Sequence, residues 1–225
     1  SSISMTPDGN TIVVGGTDYT QYGNYGRARV FTYSEDVWTQ VGQSLFGYGT
    51  GLFGIEVDIS SNGSIICVSD PLSDDKAEPT WGGSQDDEAG TVYIYKFNGS
   101  AWEQIGSNIV GREALNLAGL VSAKITSNGE RVVIASPLYR SNGPVTQGYL
   151  AGHLRIFDWN GTDWEETIDI TGSCMDDLGS VASVSSDGSK IAFGAPFNDQ
   201  NGTNAGNLRV FTDTSIVTTT TTAES

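Results

Sequence analysis

Basic, histidine and cysteine residues are scarce in this sequence of 225 residues. The 11 lysines and arginines stand against 27 aspartates and glutamates, which gives a formal net charge of −16. Such a negative field repels phosphate backbones and anionic lipid headgroups, so nucleic-acid and membrane-surface binding are not expected. No apolar run approaches the roughly 20 residues that cross a bilayer. We therefore expect no membrane insertion by this segment.

Two cysteines and one histidine restrict the chemistry further. Cys67 and Cys174 are too few for a disulfide scaffold, and the sequence leaves open whether they bridge each other. Cys67 lies in a β-branched run and is predicted to be a small buried core residue. His153 alone does not supply a histidine-rich metal centre, and no catalytic triad is indicated around it.

Acidic residues concentrate in one segment of the chain, which includes Asp74, Asp75, Asp86 and Asp87. One interpretation is a solvated loop. The other is a Ca²⁺ site, because carboxylates and carbonyls of one loop supply the hard oxygen ligands that this ion takes. The ligand spacing of an EF-hand is absent, so the sequence leaves the cofactor open between none and Ca²⁺.

The chain carries the same pattern four times. The first half of the pattern occupies residues 4–15, 58–68, 124–135 and 183–194. The second half occupies residues 26–31, 90–95, 152–157 and 206–211. The turn glycines Gly9, Gly63, Gly129 and Gly188 are 54, 66 and 59 residues apart. A period near 60 with four short strands per unit is typical of the blades of a β-propeller.

Each unit is predicted to consist of strands. An Asp-Gly or Asn-Gly pair separates two apolar runs, which favours a hairpin with a type I′ turn. A second hairpin leads to an outer strand with Trp38, Trp102 or Trp164, each predicted to fill the space between blades. No segment has sustained helical periodicity. The predicted fold is all-β, a β-propeller of about four blades of four antiparallel strands, or a segment of a larger ring.

The predicted blades occupy residues 1–214, in units 2–54, 55–119, 120–180 and 181–214. Residues 215–225 are predicted to be a threonine-rich linker or the start of a stalk. The fourth unit has clear signals for only three strands, so either Ile216-Val217 or a strand from elsewhere completes it. The missing initiator Met and signal peptide favour a segment of a longer protein.

Two further predictions come from the alignment of the units. His153 occupies a position that holds Arg27, Thr91 and Asn207 in the other units, so we expect it to be variable and exposed. Four Asn-Gly-Ser/Thr sequences fit the N-glycosylation pattern, at Asn62, Asn98, Asn160 and Asn201. Turn chemistry alone is the alternative explanation. Together with the threonine run near residue 220, the four Asn-Gly-Ser/Thr sequences predict an extracellular or cell-surface glycoprotein.

The fourth unit reads Leu178-Gly179-Ser180-Val181 before its first strand and Gly194-Ala195-Pro196 after its second. The second unit has Phe53-Gly54, and the third has Ala135-Ser136-Pro137. These units resemble FG-GAP repeats, the blades of integrin α-subunit propellers and of large secreted repeat proteins of algae and bacteria. The resemblance covers about residues 2–212 and implies a propeller fold, while it implies no particular activity.

Integrin-type blades often hold Ca²⁺ in their first hairpin, and this chain departs from that pattern. Only the second unit, with Asp58, Ser60 and Asn62, keeps a plausible ligand set. Lys124 opposes a cation in the third unit. The departures imply that most of these hairpins are plain turns.

The segments between the second and third strands of each unit favour a binding function. They differ in length and content, and loops gathered at one end of a rigid scaffold commonly bind partners. Their aromatic residues are candidates for stacking on sugars or packing on a protein, unless they fold back on their own blades. These residues are Tyr19, Tyr22, Tyr25, Trp81, Tyr139 and Tyr149.

Three functions remain open from the sequence. The first is a non-catalytic extracellular or cell-surface propeller that mediates adhesion, matrix or appendage assembly through a protein or glycan partner. The second is a polysaccharide lyase or hydrolase on a propeller scaffold. The third is a structural array unit that self-associates. Paired carboxylates that are sequence neighbours on a strand point to opposite faces, which disfavours the enzyme.

Overall fold

The computed structural model describes residues 1–19, 25–47, 52–73, 89–111, 122–137, 151–172, 178–179, 181–199 and 201–215. Sixteen strands lie in this part of the chain. They are β1 (Ile3–Met5), β2 (Thr11–Tyr19), β3 (Tyr25–Ser34), β4 (Val37–Phe46), β5 (Val57–Ile59), β6 (Ile65–Asp70), β7 (Thr91–Phe97), β8 (Trp102–Gln104), β9 (Ile109–Val110), β10 (Ser122–Ile125), β11 (Arg131–Ser136), β12 (His153–Trp159), β13 (Trp164–Thr171), β14 (Ala182–Val184), β15 (Lys190–Ala195) and β16 (Asn207–Thr212). Among the described residues, no helix is long and apolar enough to cross a bilayer.

The strands form four antiparallel sheets, each within one predicted repeat unit. Sheet 1 has the order β1-β2-β3-β4, and sheet 3 has the order β10-β11-β12-β13. Sheet 2 has the order β5-β6-β7-β8, with β9 also paired to β7. Sheet 4 contains β14-β15-β16, so its described part has three strands, as its sequence signals predicted. The predicted all-β fold is confirmed, and the sheets are the blades of a β-propeller segment.

The core lies between the sheets, in three layers. One face of sheet 1, with Val13 and Val30, packs on Val57 and Ile66 of sheet 2. The other face of sheet 2 packs in the same way on sheet 3, and the other face of sheet 3 on sheet 4. Because the two middle sheets are covered on both faces, their second strands are buried along their whole length. This explains the continuous apolar runs in the sequence.

Tryptophan side chains connect the outer strands of adjacent sheets by hydrogen bonds. The indole Nε1 of Trp102 donates to the carbonyl oxygen of Val41 at 2.9 Å, and that of Trp164 donates to Ile105 at 3.1 Å. Both rings are buried, with 3% and 9% of their surface exposed. Trp38 is 43% exposed, because no sheet precedes sheet 1 in the described structure. The predicted inter-blade role is thus confirmed for two of the three tryptophans.

The Asp-Gly and Asn-Gly hairpins differ from the predicted type I′ turns. Gly9 has a φ of 75°, but Asp8 before it is not in the positive-φ region. Instead, the Gly9 N–H donates to the carbonyl of Thr6, and the Thr6 N–H donates to Thr11, both at 2.9 Å. The same two bonds recur at the other three first hairpins. The Asp or Asn side chain itself accepts hydrogen bonds within the turn, so the turn does not need the two positive φ angles of type I′.

Candidate functional site

The two ends of the propeller segment are built differently. In each sheet, the turn between the first and second strands and the turn between the third and fourth lie at one end, which we name the hairpin end. The segments between second and third strands, and the connections between sheets, lie at the other, which we name the insertion end. Backbone bridges Gly26–Phe53 and Gly152–Leu178 tie these two kinds of segment together at the insertion end. The variable segments are therefore gathered at one end.

Side chains stabilise the hairpin end. The Asp187 carboxylate accepts hydrogen bonds from the Ser185 hydroxyl at 2.6 Å and from the Ser189 N–H at 3.0 Å. These bonds, led by that of Ser185, lower the pKa of Asp187 to about 2. Asp8 has the same arrangement with Thr6 and Asn10, and the Thr6 hydroxyl likewise leads the lowering of its pKa.

Three of the four predicted glycosylation sites lie at this end. The Asn62 side-chain oxygen accepts from Ser60 and Ser64, and the Asn98 and Asn160 oxygens accept from the Ser or Thr two residues later. These bonds close the turns, so the geometry supplies the turn-chemistry explanation for the sequence pattern. Asn201 lies in the β15–β16 connection at the insertion end and is exposed. Glycosylation of the four asparagines stays a prediction.

A polar row crosses the innermost strands, which line the propeller axis. The Ser4 hydroxyl of sheet 1 donates to Asp58 of sheet 2 at 2.6 Å, and the Ile125 N–H of sheet 3 donates to the other Asp58 oxygen at 3.0 Å. Lys124 of sheet 3 lies 3.5 Å from Glu56 of sheet 2. These four side chains are partly exposed. The row joins three sheets and presents partly exposed polar groups at the axis.

Replacing Asp58 tests the structural part of this row. We expect Asp58→Ala to lower the free energy of unfolding by about 1–3 kcal/mol, because the Ser4 hydroxyl and the Ile125 N–H lose their acceptor. Ser183→Ala is the matched control, since Ser183 holds the same register position in sheet 4 and is exposed. Urea unfolding of the two variants measures the difference. Equal losses for both would show that the carboxylate does not join the sheets.

His153 is buried, so its predicted exposed position is wrong. Its surface is 1% exposed, and its Nε2 lies 2.5 Å from an Asp169 oxygen on the neighbouring strand. The equivalent Thr91 of sheet 2 is also buried, whereas Arg27 of sheet 1 and Asn207 of sheet 4 are partly exposed, so this position is buried in the two sheets that are covered on both faces. Arg155 on the same strand bonds Glu166 and the carbonyl of Val110 in sheet 2. These groups make inter-strand and inter-sheet contacts.

The predicted binding aromatics fall mostly outside the described residues. Tyr22, Trp81, Tyr139 and Tyr149 all lie there. Tyr19 ends β2 and Tyr25 begins β3, and the two pair directly across the sheet, at the base of the first insertion. Their role in binding stays a prediction, and the sequence placed all six residues in segments that belong to the insertion end.

The Ca²⁺ prediction also concerns residues that are not described. Asp74, Asp75, Asp86 and Asp87 lie outside the described ranges. Within those ranges, no group of three or more His, Cys, Asp or Glu side chains could hold a metal ion. In the second unit, the oxygens of Asp58, Ser60 and Asn62 are bonded to protein donors or turn atoms. The first hairpins therefore serve as turns.

Cys67 is a free, fully buried cysteine, as its sequence position predicted. Burial, with a smaller effect of the Asp58 charge, raises the pKa of its thiol. Its Sγ lies 3.6 Å from the carbonyl oxygen of Ala123 in sheet 3. It is not in a disulfide, and Cys174 lies outside the described residues. Such a thiol is an inert core group.

Solved structures show the same fold at low sequence identity. A putative 6-phosphogluconolactonase from Bacteroides uniformis is 12% identical, with a TM-score of 0.59 over 96% of this chain and 50% of that chain. Kuenenia stuttgartiensis hydrazine synthase is 12% identical, with a TM-score of 0.55 over 94% and 58%. An acylaminoacyl peptidase from Pyrococcus horikoshii is 11% identical, with a TM-score of 0.51 over 94% and 30%.

The chain spans less than two thirds of the length of each of these structures. At such identities the likeness concerns the arrangement of the sheets. No family model and no curated protein matches the sequence.

Proposed function

We propose that this chain is a binding propeller of an extracellular or cell-surface protein that contacts a protein or glycan partner through its insertion end. The observation that supports this is the separation of the two ends. All four hairpins between first and second strands have the same short turn, whereas the segments at the insertion end differ in length and content. A rigid frame with one variable end is the usual geometry of a recognition surface.

The positions of the glycosylation sequences support the same proposal. Three of the four, at Asn62, Asn98 and Asn160, occupy exposed turns at the hairpin end. Sugars on these three would leave most of the insertion end free for a partner. Adhesion, matrix or appendage assembly is the process in which we place the chain.

An enzyme on the same scaffold is the second candidate. The similar structures favour it over adhesion, because those proteins are a putative 6-phosphogluconolactonase, a hydrazine synthase and an acylaminoacyl peptidase. The polar row at the axis, with Lys124 and Glu56 partly exposed, is where a polar substrate could bind. Its substrate would be a carbohydrate or a sugar lactone.

A glycan array and two turnover assays separate the candidates. We expect saturable binding to a glycan or surface protein, no release of reducing sugar, and no lactone hydrolysis. Replacing residues 74–88 by a short Gly-Ser linker should weaken the binding at least about tenfold, since it removes one insertion-end segment. Ser100→Ala at the hairpin end is the control and should bind as the native chain does. Turnover would replace the first candidate by the second, and equal binding by both variants would contradict recognition at the insertion end.

A further inference from the structure

The first and last sheets each leave one face uncovered. On sheet 1, Ile3 and Met5 are 64% and 58% exposed. On sheet 4, Leu208 and Val210 are 71% and 61% exposed. We name these the first open face (Ile3, Met5) and the last open face (Leu208, Val210). Large apolar side chains side by side on a sheet face indicate an interaction surface.

The first open face is one half of an interface that the chain already contains. The strand registers align Ile3 and Met5 with Val57 and Ile59 of sheet 2 and with Ala123 and Ile125 of sheet 3. Those four residues are at most 7% exposed, because each pair packs on the sheet before it. Sheet 1 has large apolar residues at the equivalent positions, and no sheet among the described residues packs on them.

The last open face is the other half of that interface. The registers align Leu208 and Val210 with Leu154 and Ile156 of sheet 3, and with Val92 and Ile94 of sheet 2. The latter four are at most 1% exposed, because each pair packs on the sheet that follows. One chain therefore carries both halves of the contact that its own sheets make three times.

We propose that a second copy of this chain covers both faces, with the last open face of each copy seated on the first open face of the other. The contact would continue the existing inter-sheet packing without a new kind of interface. Two copies would leave neither face open, because a head-to-tail contact closes when the rotation returns to the start. The resulting ring would contain eight sheets, at the upper end of the four to eight blades of known propellers.

A backbone hydrogen bond continues the same series. The Ser61 N–H of sheet 2 donates to Ser127 of sheet 3 at 3.0 Å, and the Ser127 N–H donates to Ser186 of sheet 4 at 3.2 Å. At the new interface, the Ser186 N–H would donate to Pro7 of the second copy, the equivalent turn residue. Proline keeps the carbonyl acceptor that this bond needs, although it has no N–H to donate.

Charge opposes the association of two copies. Each chain carries a formal net charge of −16, so the copies repel each other at low ionic strength. Salt screens that repulsion and leaves the apolar contact in place. We therefore expect the dimer to become tighter as the sodium chloride concentration rises, the reverse of an interface held by ion pairs.

Sedimentation velocity of the 225-residue chain over a range of concentrations tests the proposal. We expect a species of twice 23.8 kDa that accumulates with concentration. Leu208→Glu and Met5→Glu should each raise the dissociation constant about 100-fold, because each places a charge in an apolar contact. Both side chains are exposed in the single chain, so the substitutions leave its own core intact. Thr39→Glu, on the opposite face of sheet 1, adds the same charge and should not change it.

Mixing the two variants tests the direction of the contact. Leu208→Glu keeps an intact first open face, and Met5→Glu keeps an intact last open face, so the mixture should form a heterodimer through one interface. A mixture that stays monomeric would overturn the head-to-tail arrangement. A native chain that remains monomeric at all concentrations and salt levels would overturn the second copy as the occupant, in favour of further blades from another chain.

Discussion

Replacing Trp102 by alanine should lower the free energy of unfolding by about 3–5 kcal/mol, whereas the same change at Trp38 should cost less than about 1 kcal/mol. The two residues occupy the same position in successive repeat units. Trp102 is buried against sheet 1, whereas Trp38 is 43% exposed and its ring centroid lies 5.2 Å from that of Tyr33. In the single chain, the pair therefore compares one side chain with and without a neighbouring sheet.

The large effect at Trp102 has three physical parts. The ring packs in the core between sheets 1 and 2 and against Phe97, with ring centroids 5.3 Å apart. Its Nε1 bond to Val41 ties the two outer strands together. Gly42 leaves room for the ring, since a Cβ at Gly42 would lie 2.7 Å from Cδ1 of Trp102. Truncation leaves a cavity that the rigid strands cannot fill.

Urea unfolding at constant pH measures both variants. We expect the midpoint to fall for Trp102→Ala with little change for Trp38→Ala, and the slope to stay constant if unfolding remains two-state. Trp102→Phe keeps most of the apolar volume and should lose about 1–2 kcal/mol, mainly from the missing hydrogen bond. Similar losses at Trp38 and Trp102 would contradict the inter-sheet role of the tryptophan.

The repeat pattern made much of this fold predictable. Aligning the units gave the strands and the three clear strand signals of the fourth unit, because hairpin signals are local. Ile216-Val217, one candidate for its fourth strand, lies outside the described residues. The alternation of side chains along β12 puts Arg155 and Phe157 on one face, and the guanidinium lies 4.7 Å from the Phe157 ring centroid. Local pattern predicts which residues share a face, and repetition extends that prediction to every blade.

The features that the sequence did not predict depend on contacts between units. His153 differs from its equivalents in residue type, but its burial, shared with Thr91 of sheet 2, comes with its place in a sheet that is covered on both faces. The polar row at the axis joins Ser4, Asp58 and Ile125, which belong to three units. The signal for it was present, since Ser4, Asp58, Lys124 and Ser183 align in the repeats. Only the packing of the sheets shows that they meet.

The buried ion pairs of Arg131 give the second large prediction. Its guanidinium donates to both Asp158 oxygens at 2.6 and 2.8 Å, and its Nη1 donates to Asp213 and to the carbonyl of Gly188, both at 2.9 Å. Gly188 lies in the first hairpin of sheet 4, and Asp213 directly follows β16. One side chain of sheet 3 therefore contacts two parts of the fourth unit. Arg131 and Asp213 are both nearly inaccessible to solvent.

We expect Arg131→Met to destabilise the chain by about 3–5 kcal/mol at pH 7, because it leaves the Asp213 carboxylate buried without its cation. Adding Asp213→Asn to that variant should recover part of the loss, since the uncompensated charge is then gone. Lys190→Met, which removes an exposed cation at the equivalent position of sheet 4, is the control and should have little effect. No recovery in the double variant would show that packing, and not charge, causes the loss.

The pH dependence of Asp213→Asn provides an independent check on the same contact. Hydrogen bonds from Ser215 first, and then the Arg131 guanidinium, lower the pKa of Asp213 in the folded chain. A carboxyl whose folded pKa is depressed stabilises the fold above its unfolded pKa, about 3.9, and loses that contribution as the pH falls through the folded value. The native chain should therefore exceed Asp213→Asn in stability at pH 7. The difference should begin to shrink below about pH 4 and should vanish only once the pH lies below the folded pKa of Asp213. A difference that is independent of pH would mean that the carboxylate charge takes no part in holding sheet 4.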